Sequence, residues 1–156
     1  MSIGPSSVPK LRIGGASPDE TDMVWPANYS WHDHDDGWMG GETPRVSVPV
    51  VVNVESGRVH LAITARARPD ILRADIYRPV RNPARVPRRA VKVDFNDGEL
   101  NAHVRSTARS QHLSFDAPGP RTPYIRLTVG YTGLGESKEN WAHYYLSTRK
   151  TRFFRG

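Results

Sequence analysis

The sequence predicts an all-β fold, an antiparallel β-sandwich of about 7 or 8 strands of the immunoglobulin-like or jelly-roll type. Apolar residues recur at every second position over much of the chain, which is the period of a half-buried strand. The 13 Gly and 13 Pro fall between these short apolar runs, as in β proteins with many turns. No segment has the spacing of a long amphipathic helix.

The first predicted hairpin carries the clearest alternation in the chain. Its first strand places valines at Val46, Val48, Val50, Val52 and Val54, and its second strand places apolar residues at Val59, Leu61, Ile63 and Ala65. Because successive side chains of a strand point to opposite faces, each row predicts one apolar wall. Ser56-Gly57 supplies the tight reversal between the two strands.

Later segments repeat this pattern. The residues expected to face the core are Leu72, Ala74 and Ile76, then Leu113 and Phe115, then Ile125, Leu127, Val129 and Tyr131, and last Ala142, Tyr144 and Leu146. A second hairpin is predicted between Val91–Phe95 and Leu100–Val104, because Asn96-Asp97-Gly98 has strong turn chemistry.

Charge divides the chain into two parts. Residues 1–44, an aromatic N-terminal arm, hold two basic and seven acidic side chains, whereas residues 45–156, the β-sandwich domain, hold 20 basic and nine acidic ones. The net charges are therefore −5 and +11. Since these opposite charges attract, the arm is expected to lie on its own body or on a neighbouring subunit.

Composition excludes several function classes. The chain has no cysteine, so it has no disulfide, thiolate metal site or cysteine nucleophile. A secretory signal and an apolar run of membrane-spanning length are both missing, which predicts a cytoplasmic protein, or part of a particle assembled in the cytoplasm, without a membrane partner. No nucleophile elbow, phosphate loop, dinucleotide fingerprint or zinc-protease motif occurs, so we expect a non-catalytic protein.

A metal site is the sharpest chemical hypothesis in the arm. His32 and His34 are two residues apart, so in an extended segment their imidazoles point the same way and share one divalent ion with Asp36. The alternative is a polar loop in which the aspartates cap turns and the histidines bond to the backbone. No other cofactor is expected.

The aromatic residues of the arm are predicted to bind a protein partner or to anchor the arm over a sheet. They are Trp25, Tyr29, Trp31 and Trp38.

Two basic segments suggest polyanion binding, because arginine forks suit phosphates and carboxylates. The candidates are Arg81, Arg85, Arg88 and Arg89 in the proline-rich loop 78–89, and Arg149, Lys150 and Arg152 in the C-terminal tail. His60, His103, His112 and His143 fall at solvent-facing positions of predicted strands and are expected to be isolated surface histidines.

Three function hypotheses follow. The leading one is a non-catalytic interaction or assembly module, such as a structural subunit of a phage-like or other large particle, with a protein partner or self-assembly through the arm. The alternative is a nucleic-acid or other polyanion binder that uses loop 78–89 and the tail. The third is a metal-dependent enzyme built on His32 and His34.

Overall fold

Two β-sheets pack face to face, and the predicted β-sandwich is confirmed. The structure, a computed structural model, describes residues 4–5, 7–13, 23–33, 37–42, 50–52, 54–77, 89–95, 99–119, 124–133 and 139–148, with the backbone alone at 33, 37–42 and 89–93. In these ranges no helix is long and apolar enough to cross a membrane.

Sheet A has the strand order β10-β11-β7-β1-β2, with β6 also pairing β7. Its strands are β1 (Leu11–Ile13), β2 (Met23–Val24), β6 (Val54–Glu55), β7 (Arg58–Ile63), β10 (His103–Ser106) and β11 (Gln111–Asp116). Sheet B has the order β4-β3-β13-β12-β8-β9, with β5 pairing β13 in parallel. Its strands are β3 (Asn28–Asp33), β4 (Gly37–Glu42), β5 (Val50–Val51), β8 (Ile71–Tyr77), β9 (Arg89–Asp94), β12 (Tyr124–Tyr131) and β13 (Asn140–Ser147).

The predicted inward rows of four strands form the core between the sheets. The residues predicted for β8, β11, β12 and β13 are all at most 2 % exposed. Phe95 and Phe115 meet edge to face, with ring centroids 5.6 Å apart, and so join the two sheets. These rows hold the sandwich together because each strand buries one complete face.

The first predicted hairpin is confirmed at its turn but not along its first strand. Ser56 and Gly57 have φ of 50° and 74°, the two positive values of a type I′ turn, and Glu55 pairs with Arg58. However, the chain crosses between the sheets at Val52, which is buried, while Val50 and Val54 are 37 % and 42 % exposed. The prediction of one valine wall is therefore wrong at Val50 and Val54, and its first two members, Val46 and Val48, lie outside the described residues.

The second predicted hairpin is wrong. β9 pairs with β8 in sheet B, whereas β10 pairs with β11 in sheet A. Between these two strands the structure describes a 3₁₀ turn at Glu99–Asn101, where Leu100 and Asn101 take positive φ, and the predicted turn residues 96–98 lie outside the described residues. Turn residues reverse the chain equally well between paired strands and between sheets, so the sequence signal did not distinguish the two.

Residues of the N-terminal arm supply strands to both sheets. β1 and β2 extend sheet A, and β3 and β4 extend sheet B. Trp31 is completely buried, and its indole Nε1 donates to the Pro5 carbonyl at 3.0 Å. The Tyr144 hydroxyl donates to the Pro9 carbonyl. Gly4 lies so close to the Tyr131 ring that a Cβ at this position would clash with it.

Candidate functional site

His32 is the member of the predicted metal set that the structure describes. Its Nδ1 lies 3.0 Å from the Asn140 side-chain oxygen, and its backbone N–H donates to the same oxygen at 2.7 Å. Because an amide oxygen only accepts, Nδ1 carries the proton and Nε2 is the nitrogen left to bind a ligand. His34 and Asp36 lie outside the described residues, so the metal site stays a prediction. Among the described residues no three metal-ligating side chains cluster.

The four aromatic residues that were predicted to bind a partner lie in different environments. Trp31 is in the core, with its ring 5.9 Å from that of Tyr131, and Tyr29 packs against the core from its margin. Trp25 is 64 % exposed, although its neighbours Val24 and Pro26 are buried. Trp38 lies on β4, opposite His32 in the strand register. Of the described side chains in this set, Trp25 is therefore the one available to a partner.

The predicted polyanion-binding residues lie almost entirely outside the described residues. These are Arg81, Arg85 and Arg88 of the loop and Arg149, Lys150 and Arg152 of the tail. Arg89 is the first residue of β9. The role of these seven residues in binding stays a prediction.

A basic surface that the sequence did not predict lies on the outer face of sheet A. We call Lys10, Arg12, His60, His103, Arg105 and His112 the basic face. Leu11, Leu61 and Leu113 point into the core from the same strands, so the alternate positions face outward. Cross-strand pairing aligns the outward side chains in two rows, which run Arg12-Ala62-His112-Arg105 and His60-Ser114-His103.

The histidines of the basic face are not isolated, contrary to the prediction. His60, His103 and His112 line one cavity of about 260 Å³ together with Arg105 and Ser114. Partial burial lowers the pKa of His112 below its usual value, and the guanidinium groups of Arg105 and Arg12 lower it further. In the strand register Arg105 lies directly opposite His112, and Arg12 belongs to the same outward row two strands away. The cavity thus combines hydrogen-bond donors with positive charge, which is the chemistry of an anion site.

Among the described residues, no carboxylate pairs with the cations of this face. Within the described part of the chain, Lys10, Arg12 and Arg105 form no salt bridge, and the Arg12 Nε is buried without an acceptor. The Lys10 ammonium instead lies 4.9 Å from the centroid of the Trp25 ring. Arg58, next to the face, is paired with Asp116 at 2.8 Å. Arg58 is therefore a neutralised cation at the border of the basic face.

The comparisons with known proteins are negative. No protein-family model, curated protein or solved structure matches this chain.

The outer face of sheet B also carries polar side chains, and several of them pair with one another. Asp75 is completely buried and accepts from Arg73 and Arg126, each at 3.3 Å. His143 lies 2.9 Å from the Thr128 hydroxyl and contacts the Trp141 ring. Burial lowers the pKa of His143 to about 4, and Arg126 and Arg73 contribute to this shift. His143 is therefore neutral at pH 7 and adds no charge to this face.

Proposed function

We propose that this protein is a non-catalytic β-sandwich interaction module that holds an acidic partner on the basic face. The observation that carries the proposal is that three histidines and three cations, which have no carboxylate partner among the described residues, lie on one outer sheet face. Fixed positive charge on a rigid sheet attracts anionic groups and loses no backbone freedom when they bind. The residues of the basic face are not those that the sequence predicted, but they would bind the same class of partner as in the polyanion hypothesis.

The arm contributes its two basic side chains to the basic face. Lys10 and Arg12 are the two basic residues among positions 1–44, and both stand on or beside β1, which lies between β7 and β2 in sheet A. The Lys10 backbone N–H donates to the Thr64 hydroxyl at 3.0 Å, and the Thr64 N–H donates to the Lys10 carbonyl at 3.0 Å. These bonds fix the arm cations beside those of the body.

Salt dependence tests the proposal. At pH 7.5, affinity for a labelled poly-L-glutamate is expected to fall about 20-fold between 50 and 200 mM salt, because about three cations release counterions on binding. The double variant Arg12→Gln/Arg105→Gln is expected to weaken binding by at least tenfold and to flatten the salt dependence. Fluorescence anisotropy measures both effects.

The matched control is Arg66→Gln/Arg109→Gln, which removes the same charge from the wall of a separate cavity near Gly4 and Pro5. This control is expected to bind nearly as the parent does. Equal losses in the two double variants would mean that net charge alone attracts the polymer, and absence of binding at 50 mM salt would refute the proposal.

Assembly of several copies, in a phage-like or other large particle, stays a prediction of the sequence. Among the described residues, the exposed large apolar side chains that such contacts would bury are Trp25, Val50, Val51, Val54 and Leu100. A monomeric mass by light scattering, at the highest soluble concentration, would argue against it.

A further inference from the structure

We propose that the acidic partner of the basic face is a single strand of nucleic acid, which crosses sheet A from β2 to β10. This inference rests on the proposed function and gives its partner a chemical class. The observation behind it is the exposed indole ring of Trp25, because attraction between opposite charges gives no role to an aromatic ring.

Trp25 is exposed in a well-anchored segment. Val24 pairs with Leu11 and is 6 % exposed, and Pro26 on the other side is also buried. The indole therefore projects from an anchored backbone, with the Lys10 ammonium 4.9 Å from its ring centroid. An exposed ring beside a cation is what sheet-built proteins use to stack an unpaired base next to its phosphate.

The order of strands places the other contacts along one path. Trp25 follows β2 at one edge of sheet A, Lys10 and Arg12 are at β1, and the cavity spans β7, β11 and β10. Neighbouring strands are about 4.8 Å apart, so the path is roughly 19 Å long. A short single strand can therefore reach from the ring to the cavity while its backbone passes both arm cations.

The cavity suits a phosphate group at the far end of this path. Arg105 offers a planar fork of N–H donors, and Ser114 offers a hydroxyl beside His60 and His103. An acidic peptide would use the same charges but has no base to place on Trp25. In a duplex the bases are already stacked on one another, so they are not available to the indole.

The test compares three labelled probes at equal salt: a thymidine oligomer of about 12 nucleotides, its duplex with the complementary strand, and poly-L-glutamate. The single strand is expected to bind tightest. Trp25→Ala is expected to weaken single-strand binding about tenfold, because one stacked base is lost, and to leave poly-L-glutamate binding unchanged. Trp25→Phe keeps a stacking ring and is expected to restore most of the affinity.

Two results would overturn this inference. One is a Trp25→Ala variant that binds the oligomer as the parent does; the other is poly-L-glutamate or duplex binding at least as tight as single-strand binding. In either case, a loss of affinity in Arg12→Gln/Arg105→Gln would leave the proposed function standing. Failure of all three probes to bind would refute both.

Discussion

Replacing Trp31 with alanine is expected to lower the free energy of unfolding by about 3–5 kcal/mol. The Trp31 side chain is completely buried in the core, and its removal leaves a cavity beside the Tyr131 ring. The Pro5 carbonyl also loses the hydrogen bond that the indole donates. This loss lowers the free energy of unfolding further where no water can replace the donor. Urea unfolding followed by circular dichroism measures the change.

Trp25→Ala is the matched control, because it makes the same substitution at a ring that is 64 % exposed. We expect a change within about 0.5 kcal/mol.

Deletion of residues 1–44 is expected to prevent cooperative folding, since it removes Leu11 and Trp31 from the core and two strands from each sheet. A deletion variant that unfolds cooperatively would show that the arm is a separable appendage, and would contradict this account of the fold.

Replacing Asp75 with alanine is expected to lower the free energy of unfolding by about 3 kcal/mol. The Asp75 carboxylate is completely buried and accepts from Arg73 and Arg126, whose side chains are 31 % and 24 % exposed. Without it, two partly buried guanidinium groups lose the carboxylate that both of them contact. Thermal and urea unfolding at pH 7 measure the loss.

Asp116→Ala is the control for Asp75. Its carboxylate also pairs with an arginine, Arg58 at 2.8 Å, but it is 41 % exposed, so water replaces much of the lost interaction. We expect a loss of less than about 1 kcal/mol. Equal losses at the two positions would mean that the burial of Asp75 has no energetic consequence.

The core was predictable because it depends on a local pattern. Strands β8, β11, β12 and β13 carry apolar residues at every second position, so their inward faces followed from the period of two. The type I′ turn followed from Ser56-Gly57 for the same local reason. The crossing at Val52 was missed because period two is the same for a strand that stays in one sheet and one that changes sheets.

The basic face was not predictable from the sequence, because it depends on strand order. His60, His103 and His112 are separated by up to 52 positions in the chain and become neighbours only because β7, β11 and β10 pair in that order. Their outward register was predicted, but their common cavity was not. Arg12 joins them through β1, a strand of the arm whose three residues are too few to show a period.

The measurement that tests the central claim most directly is an NMR titration of the histidine ring signals with poly-L-glutamate. His60, His103 and His112 are expected to shift, while His143 on the opposite sheet stays unchanged. The bound carboxylates offset the positive charge of Arg105 and Arg12, so the pKa of His112 is expected to rise on binding. Binding then takes up protons, and affinity is expected to increase as the pH falls through the range in which His112 titrates.

Assignment of the signals uses single His→Gln variants, each of which removes one ring signal. Shifts confined to the three basic-face histidines, together with a raised pKa of His112, would support the proposed function. Unchanged basic-face signals at saturating poly-L-glutamate, or shifts centred on His143, would contradict it and place the binding surface elsewhere.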